Sequence, residues 1–331
     1  MKTNRLLNGV KRFLKGLLVF LFVLSLTGMI YQTAGAEADK RNFPPPGNLI
    51  NVGGFKMYIY CEGKGSPTVI LDAMSGGFSS YWGWIQPEVA KQVRVCAYDR
   101  AGFGWSQSDP ETESPQRTTH NLHTLLVNAE IEGPFVMVGH SKGGIYVREY
   151  AALYPQEVAG LVLLDSSHPD QFMRYPEMLK GDTPMLTFMP VLQTMVRMGL
   201  GRLYFFNSRK IDFASLPPPQ RAEVAAIFST QEYWQNAKTT MLLGASIFQQ
   251  AHDLGPLGDL PLAVITRGEG VDDHWREMQN ELAVLSTNSI HITVDGSTHG
   301  SLVFNRDHAH IVSQTILQVV DAVQTGKRFN P

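Results

Sequence analysis

The chain has 331 residues, a formal net charge of −2, 44% hydrophobic and 18% charged residues. It is long enough for one large domain or two modest ones, and apolar enough to bury a sizeable core, which excludes a globally disordered polymer. The charge balance holds no basic excess for nucleic-acid binding, and two cysteines exclude a disulfide-dense scaffold and a multi-cysteine zinc module.

Residues 1–15 carry Lys2, Arg5, Lys11, Arg12 and Lys15 and no acid, and residues 16–31, GLLVFLFVLSLTGMIY, follow as an apolar run. A basic flank before an apolar stretch is an export signal or a membrane anchor. The run approaches the length of about 17–20 residues that a span needs. Ala34-Gly35-Ala36 suits a signal-peptidase site, whereas an uncleaved anchor would leave the basic residues on the cytoplasmic side. Residues 1–36 are therefore expected to export the chain. It would end membrane-anchored with its domain outside the cytoplasm, or secreted or periplasmic after cleavage. Residues 37–47, EADKRNFPPPG, read as a stiff polar linker, because consecutive prolines favour an extended chain.

From residue 48 the pattern alternates. Short apolar, β-branched-rich runs bounded by Gly, Pro or Asp lie at Phe55–Cys61, Thr68–Leu71, Val93–Tyr98, Phe135–Val138, Leu161–Leu164, Leu262–Thr266 and Ile290–Val294. Helical patterns fall near 116–130, 142–154, 274–286 and 307–324. Such alternation predicts an α/β architecture, a mostly parallel sheet covered on both faces. Residues 168–256 break the rhythm, with helical character, a PPP break at 217–219 and no convincing strand. They read as an inserted helical cap on a core of residues 48–167 and 257–325.

The strongest chemical signal is Phe135-Val136-Met137-Val138-Gly139-His140-Ser141-Lys142-Gly143-Gly144. An apolar strand ends at Gly139 and a helix opens just after Ser141, with G-x-S-x-G between. A serine on so sharp a turn stands clear of the sheet, its hydroxyl free to attack a carbonyl. Glycine is needed on either side because a side chain there would collide with the neighbouring backbone. The following helix points its N-terminal amides at the site, which favours developing negative charge.

On these residues the chain resembles the α/β-hydrolase superfamily over about residues 48–325, most nearly its exported bacterial members with a PPPG linker. The stretch Asp99-Arg100-Ala101-Gly102-Phe103-Gly104-Trp105-Ser106 resembles the family's loop after the fourth strand. Asp72-Ala73-Met74-Ser75-Gly76-Gly77 stands where the family carries a His-Gly oxyanion loop, with Asp72 and Ala73 replacing the usual pair. The resemblance implies an eight-stranded sheet, a nucleophile at Ser141 and a base at His299, the one histidine between the last strand and the final helix. It implies oxyanion donors at the backbone of Met74 and Lys142. Two acids remain open. Asp165 stands at the end of the sixth strand, and Asp272 follows the seventh, with Glu269 and Asp273 behind it. Asp165 is preferred, because Asp272 stands one residue late and also suits a helix N-cap. In the implied fold the strands of Cys61 and Cys96 are antiparallel neighbours, so a disulfide is possible there, against the alternative of two buried free thiols. The bulky Lys142 side chain would sit at the cap mouth or in solvent.

No H-E-x-x-H or Cys/His zinc spacing occurs, and no cofactor motif is present. His308 and His310 make a poor metal pair two apart on a helix, and His120 and His123 read as helix-surface residues. The cap carries Met173, Met178, Met185, Met189, Met195, Met198 and Met241, seven of the 13 methionines, with seven phenylalanines. Methionine suits adaptable apolar pockets, and no arginine clamp for a phosphate or carboxylate is evident. The expected partner is a small lipophilic, uncharged substrate, with the membrane as a second partner if the N-terminal segment stays uncleaved; no protein partner is called for. The function expected is a serine carboxylesterase. Amide, thioester or carbon–carbon hydrolysis on the same fold, and a non-catalytic ligand-binding protein, are the alternatives.

Overall fold

The computed structural model of the chain describes residues 2–209 and 211–329, with side chains described except at 2–6, 177–184 and 253. The side chains of Met178, Lys2 and Arg5 therefore lie outside what is described. A long helix α1 (Lys2–Asn42) comes first. The core strands are β1 (Asn48–Asn51), β2 (Lys56–Glu62), β3 (Thr68–Asp72), β4 (Val95–Tyr98), β5 (Phe135–His140), β6 (Val158–Leu164), β7 (Leu262–Arg267) and β8 (Ser289–Val294). They form one eight-stranded sheet in the order β1-β2-β4-β3-β5-β6-β7-β8. The β1–β2 and β2–β4 pairs are antiparallel and the rest parallel. The short β1, not foreseen as a strand of its own, pairs along its whole length with β2.

The core helices are α2 (Ile85–Val89), α3 (Pro115–Asn128) and α4 (Gly143–Leu153). Between β6 and β7 lie α5 (Gln171–Arg174), α6 (Pro176–Arg197), α7 (Leu200–Asn207), α8 (Pro218–Phe228), α9 (Gln231–Leu242) and α10 (Gly244–Gln250). The described residues of this insertion hold no strand. The PPP run caps and opens α8 rather than merely breaking the chain, since proline suits a first helical turn. The core closes with α11 (Asp273–Ala283), α12 (Ser301–Phe304) and α13 (Arg306–Thr325).

The central strands alternate between two cores. Val69, Leu71, Val136, Val138, Val162 and Leu164 pack with α2, α12 and α13. Ile70, Met137, Leu161 and Leu163 pack with α3, α4 and α11. Both faces are buried, which is why these strands read as continuous apolar runs. Such a sheet leaves only the carboxyl ends of its parallel strands, where loops and cap meet, for a site.

Two expectations change. The helix α1 continues through residues 37–42, so the segment expected as linker is mostly helical, and the non-helical connection is only 43–47. Its last turns hold helix-compatible residues and are fixed by an ion pair between Asp39 and Arg202 of α7; the prolines at 44–46 end it. His123 is not a plain surface residue, since it is bonded to Glu157 (3.0 Å) and stacked on Tyr154 (4.0 Å between ring centroids).

Cys61 and Cys96 stand directly opposite in the antiparallel β2–β4 register and are joined as a disulfide. The bridge spans 35 residues of sequence, a loop whose closure in the unfolded chain is worth about 3–4 kcal/mol. A thiol count on the denatured, unreduced protein should find none, and two after reduction. Reduction should lower the unfolding midpoint, whereas two free thiols at the outset would remove the bridge.

Candidate active site

The turn between β5 and α4 carries Ser141 at φ +56°, a left-handed conformation that non-glycine residues rarely adopt. Three bonds of 3.0 Å hold it there: Ser141 N–H to the Leu164 carbonyl, and its own carbonyl to the amides of Gly144 and Ser167. The flanking glycines have steric reasons. A Cβ at Gly139 would lie 2.6 Å from the Gly143 backbone, one at Gly143 2.5 Å from the Asp72 carbonyl oxygen, and one at Gly144 1.9 Å from Ser166 Oγ. The same close approach brings the loop after β3 against the start of α4.

His299 sits in the loop between β8 and α12, and its Nδ1 is 2.6 Å from Asp165 Oδ2. Asp165 follows β6 and is fully buried. Its carboxylate also accepts from Trp275 Nε1 (2.9 Å) and Arg267 Nη1 (2.6 Å). Burial pushes the carboxyl pKa up, but the bond to His299 and the Arg267 charge outweigh it and bring it down to about 2. An ionised Asp165 accepts the Nδ1 proton and leaves the lone pair of a neutral His299 on Nε2. The His299 ring lies 4.6 Å, centroid to centroid, from that of His140, the residue before Ser141, whose Nε2 donates to the His299 carbonyl (3.1 Å). No hydrogen bond joins Ser141 Oγ to His299 in this structure; such bonds are often long before substrate arrives.

The other acids stand elsewhere. Asp272 caps α11 through the Trp275 amide (2.9 Å) and accepts from the Tyr175 hydroxyl. Asp273 pairs with Arg276 (2.8 Å) in solvent. Glu269 meets this region through its backbone, its carbonyl accepting from Arg267 Nε (3.1 Å). Of the four, only Asp165 is brought to His299.

The loop after β3 is pinned by a buried ion pair. Asp72, fully buried, accepts from Arg100 and from the Tyr98 hydroxyl (2.7 Å), and Arg100 also donates to the carbonyls of Ala73 (2.6 Å) and Met74. The amides of Met74 and Lys142 donate to no other group among the described residues. They are thus available to a ligand oxygen.

The sequence model of the alpha/beta hydrolase family matches residues 73–315. The chain belongs to the alpha/beta hydrolase family. Curated relatives include an uncharacterized protein of Schizosaccharomyces pombe, 26% identical over 83% of this chain and 53% of that protein. Another is YqjL of Bacillus subtilis, 24% identical over 78% of this chain and 85% of its own length. A 2-hydroxy-6-oxo-6-(2'-aminophenyl)hexa-2,4-dienoic acid hydrolase of Metapseudomonas resinovorans is 31% identical over 36% of this chain and 42% of the other. The chain spans about half the length of the first and third of these relatives. Among solved structures, a thermophilic esterase of Thermogutta terrifontis superposes with a TM-score of 0.61 at 20% identity, covering 84% of this chain and 98% of that one. The Cif epoxide hydrolase of Acinetobacter nosocomialis gives 0.68 at 16%, covering 88% and 96%. At these identities the solved structures show the fold.

Within this hydrolase fold, a cavity of about 380 Å³ opens above Ser141 and Lys142, walled by the cap residues Phe172, Met185, Met189, Trp234 and Phe248. Lys142 is neither in solvent nor free at the mouth. Its buried ammonium pairs with Glu113 Oε1 (3.1 Å). Burial, opposed by Glu113 and aided by Arg100, lowers its pKa to about 8. Glu113 in turn accepts from Tyr146 and from Thr240 of α9 (2.7 Å), so it ties the cap to the elbow. Sequence reasoning missed Glu113, which lies in an ordinary acidic loop, and Arg267, whose one signal is its position at the end of β7.

His168, Asp170 and Glu281 bring possible metal-ligand atoms within 4.8 Å of one another. However, Arg174 Nη2 reaches both oxygens of Glu281 (2.7 and 2.9 Å), and His168 Nδ1 accepts from the Asp170 amide (3.1 Å), which leaves the neutral ring's proton on Nε2. Glu281 is already occupied by Arg174, and the imidazole is in the wrong tautomer for a ligand. His308 accepts or donates to Ser301 Oγ (3.0 Å), and His310 is exposed.

The Asp165 carboxyl, lowered from 3.8 to about 2, stabilises the fold fully above about pH 4, and that contribution drains away as pH falls toward 2, on the order of 2 kcal/mol in all. The Asp165→Asn variant lacks it. The difference in thermal midpoint between parent and variant should therefore be larger at pH 5 than at pH 2; a difference independent of pH would remove the buried ion pairing.

Proposed function

We propose that the chain is a serine hydrolase cleaving uncharged, lipophilic carboxylic esters through an acyl-enzyme. The observation that carries this is the buried Asp165 holding His299 in the tautomer that leaves Nε2 basic, beside an elbow that presents Ser141. In this reading Nε2 takes the Ser141 proton as Oγ attacks the ester carbonyl. The tetrahedral oxyanion is met by the amides of Met74 and Lys142, at the N-terminal end of α4. His299 then passes its proton to the departing alkoxide. Water, deprotonated by the same nitrogen, attacks the acyl-serine, and the released Ser141 regains its proton.

Two features support the choice of an uncharged ester. The cavity wall is largely aromatic and thioether, and the one ammonium in it, Lys142, is already matched by Glu113, which leaves no spare charge for a substrate carboxylate. Epoxide and haloalkane chemistry on this fold uses a carboxylate nucleophile, and Ser141 stands in that place. We also propose that α1, long and apolar enough to cross a membrane, anchors the domain outside the cytoplasm.

A fluorophosphonate probe should label the parent protein and not Ser141→Ala. That variant should lose turnover of simple esters on the order of 10⁴-fold or more, with its fold intact by circular dichroism. Asp165→Asn should fall on the order of 10⁴-fold and Asp272→Asn only a few-fold. Near-parental turnover by Ser141→Ala would overturn the reading, and the reverse ranking of the two acids would move the third member to Asp272.

A further inference from the structure

The helix α1 does not leave the domain as a free stalk. Along one stripe, Gly28, Tyr31, Gln32, Gly35 and Asp39, it is packed on the cap. A Cβ at Gly28 would fall 2.3 Å from the Met198 carbonyl oxygen and one at Gly35 2.5 Å from Arg202 Nε. A Cβ at Gly199 would fall 2.7 Å from the Tyr31 ring. Gln32 Nε2 donates to the Ser229 carbonyl (2.6 Å), and Asp39 pairs with Arg202.

The apolar run of α1 ends at Tyr31. Hydrocarbon about 30 Å thick takes about 20 helical residues, which counted from Gly16 ends at Gly35, about one turn past Tyr31. Cap residues touching Gly28–Gln32 therefore lie between the far face of any bilayer that α1 crosses and about 10 Å inside it. Two of those residues, Met198 and Gly199, join α6 to α7, and both helices turn apolar stripes outward. On α6 these are Phe188 (52% exposed) and Val191 (49%); on α7 they are Leu203 (51%) and Tyr204 (54%). The inner side of α6 carries Met189, buried on the Ser141 cavity, and the half-exposed Met185 lines that cavity too.

We infer that the α6–α7 face of the cap is seated on the lipid bilayer that α1 spans, and that the Ser141 cavity takes its substrate, a membrane-dissolved long-chain ester, past α6 from that bilayer. The occupant is lipid because the stripe adjoins α1 where its apolar run, residues 16–31, meets the cap through Gly28 and Tyr31. An apolar face of this size exposed to water would otherwise be an unmet cost, and interfacial seating with a tyrosine at the headgroup level meets it. The substrate half rests on the hydrolase reading above; the seating does not.

The test uses the full chain in vesicles of phosphatidylcholine and phosphatidylglycerol, 3:1. Tyr204→Trp should show added tryptophan quenching by brominated phosphatidylcholine over the parent, and Leu153→Trp, exposed at the far end of α4, should not. The pair Leu203→Glu with Tyr204→Glu should lower hydrolysis of vesicle-dissolved 4-methylumbelliferyl oleate at least tenfold and change p-nitrophenyl acetate turnover less than twofold. No added quenching at position 204 overturns the seating, whatever the activity. Quenching with equal effects on both esters overturns the route from the bilayer. Quenching in a protein that cleaves neither ester leaves the seating standing and overturns the hydrolase reading, and with it the substrate half.

Discussion

A single buried carboxylate organises the carboxyl ends of the last three strands. Asp165, with no exposed surface, must be matched where it lies, because an unpaired charge in the interior is prohibitively unfavourable. From its position after β6 it draws side-chain partners from three other places: Arg267 at the end of β7, Trp275 in the first turn of α11, and His299 after β8. Arg267 further stacks on Trp275, 4.4 Å from guanidinium carbon to ring centroid. Each of these groups is fixed by the same two oxygens, so the imidazole inherits the rigidity of the sheet although it stands on a loop. The positive φ of +40° at Asp165 is the local strain that this arrangement carries.

A second set of charges does for the other side of the elbow what Asp165 does for the first. Arg100 ties Asp72 and the carbonyls of Ala73 and Met74 into one unit, so the loop expected to supply an amide has no freedom to turn it away. The replacement of the family's usual His-Gly pair by Asp72-Ala73 thus brings its own support, a guanidinium below the loop. Glu113 then links Lys142 to Thr240, while Asn236 Nδ2 donates to the Gly102 carbonyl (2.6 Å). The cap is held over the cavity by polar contacts at two points of α9, with the apolar wall between them.

Much of this was legible in the residues because it depends on local pattern. Seven strand runs, the elbow around Ser141 and the helical character of 168–256 each follow from periodicity, glycine placement and proline breaks. What could not be read depends on contacts between distant segments. Nothing near Asp272 tells that its carboxylate is taken by an α11 amide and the Tyr175 hydroxyl. Nothing near Lys142 tells that its charge is consumed by Glu113, 29 residues earlier in sequence. Arg267 looks like an ordinary charged residue just past a buried strand until Asp165 is beside it. The disulfide lay between these cases: the resemblance placed the strands side by side, but only the register, Cys61 opposite Cys96, decides whether the sulfurs meet.

The stretch from 37 to 42 shows how one local misreading changes the mechanics of the whole molecule. An extended polar linker would let the domain tumble against whatever holds its N-terminus, and every face of the cap would see that surface equally. A continuous helix packed through Gly28, Gly35 and Asp39 allows no such freedom. Residues 28, 32, 35 and 39 recur on one side of a 3.6-residue helix; Gly28 lies so close to the Met198 backbone that no side chain would fit there, and Gly35 packs against the Arg202 side chain. Rotation of α1 about its axis is thereby fixed relative to α6 and α7. A bilayer that takes up α1 takes up the cap in one orientation, with the same apolar stripes always nearest to it. The Asp39–Arg202 pair, largely out of water, is satisfied within the contact itself, and the cavity wall keeps a constant relation to the helix beside it.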